Sequence, residues 1–172
     1  MTNNKFVRIY LNEILYQIQC AKDSFNSQDI DEFTRHHHFL IHCSNVYKIL
    51  FPTITNKDNE KEKEIKENRN KFLKEYFNNY EKLLIDSSFM KIRNHLEHFN
   101  ERLDKILIDC RVNVIDKNIS IGGPLPIGGI PRDCFLRNIE NGKFTLLGDE
   151  CQIQKLWDSI SKIENYIKNN PI

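Results

Sequence analysis

The chain has 172 residues, of which 28% are charged and 40% hydrophobic, and a formal net charge of +1. That length suits a single domain whose core needs no disulfide staples, and the near-neutral balance excludes a protein that holds nucleic acid by bulk positive charge, so any such contact must come from a local patch. No apolar run approaches the roughly 20 residues of a membrane span, and the first residues lack the charged, apolar and small-residue segments of a secretory signal, so a cytoplasmic protein without membrane contact is expected. The five cysteines, Cys20, Cys43, Cys110, Cys134 and Cys151, are odd in number and form no C-x-x-C pair. Reduced thiols are therefore expected, with no zinc site.

Two parts of the chain differ in texture. Residues from about Lys5 to Val112 carry helical periodicity and contain one proline, Pro52, and no glycine, whereas all 6 glycines lie after residue 120. The expected architecture is mainly α: an up-and-down helical bundle over 1–112, then a loop, a small β-hairpin and a C-terminal helix over 113–172 that pack on it as one domain. The first helix spans about Lys5 to Ser24, with an apolar face of Phe6, Ile9, Tyr10, Leu11, Ile14, Leu15 and Ile18. The second starts near Asp29, a plausible N-cap with Glu32 three places on. It carries Phe39, Cys43, Val46 and Leu50 and stops at Pro52. The charged stretch 56–71 reads either as a loop or as the solvated start of a third helix, which Phe72, Leu73, Tyr76, Phe77, Tyr80, Leu83 and Leu84 establish by about Arg69.

The fourth helix has the strongest pattern. After Asp86, Ser87 and Ser88 as capping candidates, Phe89, Ile92, Leu96, Phe99, Leu103, Ile106 and Cys110 recur at three- and four-residue spacing, which predicts about six continuous turns. The period then changes to a β-rich Val112–Ile121. A Gly- and Pro-rich loop follows over 122–131. Cys134–Ile139 and Lys143–Leu147 flank Asn141-Gly142, a strong hairpin signal. A last helix is expected from about Asp149 to Asn169 along Ile153, Leu156 or Trp157, Ile160, Ile163 and Ile167.

Two segments could carry chemistry. The first is His36, His37, His38 and His42. His38 and His42 lie one turn apart, a spacing that can place two imidazoles on one metal, but no third ligand is supplied, and structural histidines are the simpler reading. No metal or cofactor is expected. The second is the run Arg93-Asn94-His95-Leu96-Glu97-His98 on the fourth helix. At about 100° per residue, Arg93 lies about 90° from the apolar stripe on one side and His98 about 130° on the other. The two flank a polar face bearing Asn94, Glu97 and Glu101. Being about 140° apart, they converge on one ligand only if a second surface, such as a two-fold related copy, covers that face.

An arginine followed by a polar residue and, after four to six intervening positions, a histidine, late in a helical bundle, resembles the signature of the HEPN superfamily. Here the match is Arg93, Asn94 and His98, and the resemblance covers about residues 5–112. The resemblance implies a metal-independent endoribonuclease of toxin–antitoxin or antiviral defence type, acting on RNA as a homodimer. A small nucleotidyltransferase is one kind of antitoxin it implies. It makes His98 the general acid/base, Arg93 the group that holds the scissile phosphate and Asn94 the group that orients either. Glu97, Arg102 and His95 are assigned to substrate binding or support. The alternative is a non-catalytic module of the same type that binds a nucleotide, RNA or protein partner. Glu97 and Glu101 count against phosphate binding unless each is paired. The segment 113–148 is expected to pack on the bundle, and it could instead cover a dimer cleft, select substrate or dock an antitoxin.

Overall fold

A computed structural model describes residues 3–78, 87–109, 113–121, 128–131 and 134–172. Among them are six helices, α1 (Asn3–Asn26), α2 (Glu32–Leu50), α3 (Glu60–Tyr76), α4 (Ser87–Glu97), α5 (Phe99–Asp109) and α6 (Ile153–Asn169). The strands are β1 (Val114–Asp116), β2 (Ile119–Ile121), β3 (Phe135–Glu140), β4 (Lys143–Leu146) and β5 (Asp149–Gln152), in the sheet order β2-β1-β3-β4-β5. The protein is thus mainly helical with a small sheet. No helix among the described residues is long and apolar enough to cross a membrane.

The chain divides into two compact units, and the division does not fall at residue 112 as expected. One unit comprises 1–27, 38–85 and 158–172, the other 28–37 and 86–157. The helix that carries the Arg-Asn-x3-His run therefore belongs with the sheet, not with the helices that precede it.

The first unit is helical. Its core contains Leu11, Ile14 and Ile18 of α1, Phe39, Leu40, Cys43 and Val46 of α2, Leu73 of α3, and Ile160, Ile163 and Ile167 of α6. Burying such side chains is the main driving force for packing helices together. The broad apolar face expected of α1 is narrower than its sequence suggests. Val7, Leu11, Ile14, Ile18 and Ala21 are buried, whereas Phe6 and Ile9 are exposed. The charged stretch belongs to a helix from Glu60 onward, held by a reciprocal capping box in which the Asn59 side chain accepts from the Glu62 N–H and Glu62 accepts from the Asn59 N–H. Among the described residues α3 ends at Tyr76, and Tyr80, Leu83 and Leu84 lie outside them. Polar contacts tie the helices together. Gln17 accepts from Asn45 at 3.1 Å and is bonded to His42 at 2.8 Å. Glu164 pairs with Lys22 and with Lys168. The hydroxyl of Tyr166 donates to the Tyr76 carbonyl at 3.0 Å.

The second unit is built on three hairpins, each closed by two residues with positive φ: Lys117-Asn118, Asn141-Gly142 and Leu147-Gly148. Two such residues in succession give the turn whose twist matches that of paired strands. Only the Asn141-Gly142 turn carries a typical hairpin sequence. The third hairpin makes β5 of Asp149–Gln152, which the sequence pattern places in the last helix; α6 begins at Ile153 instead. β1 pairs antiparallel with β2 and parallel with β3, and the bidentate pair between Arg137 and Asp116, at 2.6 and 2.7 Å, crosses that parallel junction. Phe144 and Leu146 of β4 are fully buried, and Phe89 and Ile92 of α4 and Leu156 of α6 are buried as well. At the start of α2 the N-terminal cap is Asp31, not Asp29. Its carboxylate accepts from the N–H groups of Phe33 and Thr34 at 3.0 and 3.1 Å.

The thiols of Cys20, Cys43 and Cys151 are free, but Cys134 is disulfide-bonded, which corrects the expectation of five reduced thiols.

Candidate functional site

The expected six-turn helix is interrupted at His98, where α4 ends and α5 begins one residue later. The backbone ladder still passes through the interruption. The N–H of His98 donates to the Asn94 carbonyl, and the N–H of Arg102 to the His98 carbonyl, both at 3.2 Å. Angular relations along the helix therefore hold across the break to a first approximation.

The buried stripe of α4 is rotated from the expected one. It runs Phe89, Ile92, His95, while Leu96 is only half-buried. This turns His95 toward β5, where its Nε2 lies 2.7 Å from the Asp149 carboxylate. Its Nδ1 lies 2.6 Å from a terminal guanidinium nitrogen of Arg102. Because a carboxylate only accepts and a guanidinium only donates, these contacts define the imidazole: Nε2 carries the proton and donates to Asp149, and Nδ1 accepts from Arg102. A protonated His95 would point an N–H at a guanidinium. Burial pushes the His95 pKa below the ordinary imidazole value. The Asp149 bond pulls it up, and the charge of Arg102 pushes it down again. With the residue only 8% exposed, the neutral form is the one the site holds.

Lys91, one turn before His95, donates to the other Asp149 oxygen at 3.2 Å. Burial alone would raise the Asp149 carboxyl. The hydrogen bonds from His95 and Lys91, together with the lysine charge, outweigh it and hold the carboxyl below its usual value. Lys91, Asp149, His95 and Arg102 thus form one connected polar group at the junction of α4, α5 and β5.

Arg93, Asn94 and His98 are not part of that group. Arg93 reaches along its own helix to Glu97 at 3.2 Å, an i,i+4 pair. Asn94 is half-buried on the same helix. The His98 side chain is 53% exposed, with Nδ1 3.6 Å from a carboxylate oxygen of Glu101. That separation is too long for a hydrogen bond and leaves the ring open to solvent. Both acidic residues of the polar face, Glu97 and Glu101, thus stand beside a cation or a potential one within the chain. Of the six anticipated residues, the fold brings His95 and Arg102 into direct contact, pairs Arg93 with Glu97, and leaves His98 as the exposed imidazole. Asp149 is not singled out by the sequence pattern, which places it at the start of the last helix, whereas it opens β5. The signal that could have found it is Leu147-Gly148, a two-residue turn immediately before it.

The other histidines are accounted for separately. The His36 ring lies parallel to that of Phe144 with centroids 6.1 Å apart, and its Nδ1 is bonded to the Glu32 carbonyl at 2.7 Å. His42 is bonded to Gln17, and its pKa is lowered by burial and then by the neighbouring His38. His37 is half-buried and His38 exposed. Among the described residues, no group of three or more His, Cys, Asp or Glu side chains is placed to hold a metal ion. Comparison with protein-family models, with curated proteins and with solved structures finds no match.

Proposed function

We propose that this protein is a metal-independent endoribonuclease of HEPN type, belonging to a toxin–antitoxin or antiviral defence system and acting in the cytoplasm as a homodimer. The observation that carries the reading is the contrast between two histidines three residues apart. His95 has both ring nitrogens engaged, whereas His98 is exposed at a helix break and 3.6 Å from the Glu101 carboxylate. An exposed imidazole is suited to moving protons near neutral pH. RNA brings its own nucleophile. His98 takes the proton from the 2′-OH, the 2′-oxygen bonds to phosphorus, and the bond to the 5′-oxygen breaks. The leaving oxygen takes a proton from the imidazole of the second copy. The products are a 2′,3′-cyclic phosphate and a 5′-hydroxyl. Arg93 and Asn94 bind the phosphate across the dimer interface, where a guanidinium suits the charge that develops on the phosphorane oxygens.

The test is cleavage of a mixed RNA pool in EDTA, with the product ends identified. Wild type should cleave, and His98→Ala should lose roughly a hundredfold or more, the usual contribution of a general acid or base. Arg93→Ala should fall in parallel while the dimer persists by light scattering. Undiminished cleavage by either variant overturns the assignment. A second reading, a non-catalytic module that binds RNA, a nucleotide or a protein such as a nucleotidyltransferase, is favoured by the Arg93–Glu97 pair, which offsets the arginine charge within the chain. That reading requires binding without cleavage.

A further inference from the structure

Within one chain, Arg93 is poorly placed to serve His98. The two are five residues apart, about 140° around the helix, and Arg93 already faces a carboxylate. Arg102 stands differently. It follows His98 by four residues, about 40° around the axis, which is the spacing of side-chain neighbours on a helix, and its N–H closes the helical turn on the His98 carbonyl.

Its guanidinium is held in an unusual way. Rather than a carboxylate, it meets a neutral imidazole, to which it gives one of its five donors. Among the described residues its side chain has no other hydrogen bond or ion pair, and the residue is half-buried, not enclosed. The nearby carboxylate, Asp149, is shared between His95 and Lys91. The negative charge in the group is therefore matched by Lys91, and Arg102 supplies the surplus positive charge. Asp149 fixes the His95 tautomer, the tautomer presents Nδ1 as an acceptor, and the acceptor anchors one edge of the guanidinium while its remaining N–H groups stay available. This is how a fork-shaped cation is pre-organised for an anion without being neutralised.

We propose that Arg102, anchored by the Asp149–His95 pair, is the phosphate-binding cation beside His98 within each chain, and that its ligand is an RNA phosphodiester. Asp149 and His95 are positioning residues: they touch no substrate and act through Arg102. The inference rests on the ribonuclease reading for the identity of the ligand, but it can be separated from it because it concerns binding and not cleavage.

The experiment uses the full chain and a 2′-O-methyl RNA oligonucleotide, which lacks the nucleophile and cannot be cleaved, with affinity measured across a salt series and folding checked by thermal melting. Arg102→Ala should weaken binding about tenfold and reduce the slope of log affinity against log salt by about one, the signature of one lost phosphate contact. His95→Gln should bind within about threefold of wild type, because its amide can donate to Asp149 and accept from Arg102. His95→Leu, which can do neither, should lose most of what Arg102→Ala loses. If His95→Leu does not fold, Asp149→Ala serves in its place. Wild-type affinity and slope in Arg102→Ala overturn the proposal whether or not the protein cleaves RNA. A lost contact in Arg102→Ala, in a protein that binds but does not cleave, supports this proposal and removes the ribonuclease reading. Absence of wild-type binding overturns both.

Discussion

Each of the two compact units holds a histidine by a short hydrogen bond, and the two settings differ in charge. In the helical unit His42 meets the amide of Gln17, which also accepts from Asn45. In the sheet-containing unit His95 is set between Asp149 and Arg102. Burial lowers the pKa of both. The Gln17 oxygen accepts from an Nδ1–H, which the neutral ring and the cation can both carry, so this partner tolerates either form of the ring. A carboxylate on one side and a guanidinium on the other admit a single tautomer of a single charge state. The first arrangement joins two helices. The second also orients a cation, and for that reason the sheet-containing unit is the one that carries function in this account.

The largest expected difference follows from removing each ring. His95→Leu leaves one N–H of Arg102 and one oxygen of Asp149 unmatched and should cost about 2–4 kcal/mol, toward the lower figure because Asp149 is partly exposed. His42→Leu loses one neutral contact and should cost about 1 kcal/mol. Urea unfolding of the two variants checks this, and equal losses would remove the distinction between the units.

Acid should act on the same contrast. His95 has a folded pKa below the ordinary imidazole value, so the unfolded chain takes up that proton first. Stability falls as pH drops below about 6.5. Asp149 is also lowered. Its contribution is complete above the ordinary carboxylate range and is lost as pH falls through its folded value, so both groups weaken the fold on the acid side. His42 is lowered as well, and its share acts in the same direction. Comparing urea midpoints at pH 7.5 and 5.5, wild type should lose more stability than His95→Gln. An equal loss in the two would show that His95 does not couple folding to protons.

The smallest effects test the local devices of each unit. Asn59→Ala removes the capping box of α3 and should cost about 1 kcal/mol. Gly142→Ala, at φ +72°, should cost about 1–2 kcal/mol from backbone strain alone, since nothing lies within 4 Å of an added Cβ. Thermal melts of the two variants check both values.

These same elements show what the amino-acid sequence disclosed. Where one face of a helix is buried and the pattern is clean, the reading holds: Phe39, Cys43, Val46 and Leu50 on α2, and Ile153, Leu156, Ile160, Ile163 and Ile167 on α6, are all buried. Asn141-Gly142 marks a hairpin because the turn needs positive φ twice, and those residues adopt it most readily. Lys117-Asn118 and Leu147-Gly148 do the same with less typical residues, so the hairpins they close were hidden, and β5 with them. Phe6 and Ile9 look like core residues by periodicity, yet tertiary packing leaves them exposed. At the candidate site the run Arg93-Asn94-His95-Leu96-Glu97-His98 follows α4 to the break at His98, and the same helix places His95 against Asp149. Which of its two histidines faces the core depends on a small rotation of the buried stripe and on a carboxylate 54 residues away, and neither is written in local periodicity.

The central claim is a division of labour between those two histidines, and one assay tests it most directly: metal-free RNA cleavage by His98→Gln and His95→Gln side by side. The account predicts that His98→Gln loses a hundredfold or more, while His95→Gln, which preserves the hydrogen bonds to Asp149 and Arg102, stays within about tenfold of wild type. Loss of cleavage in His95→Gln with His98→Gln unaffected would make the Asp149–His95 pair the catalytic element and contradict the account.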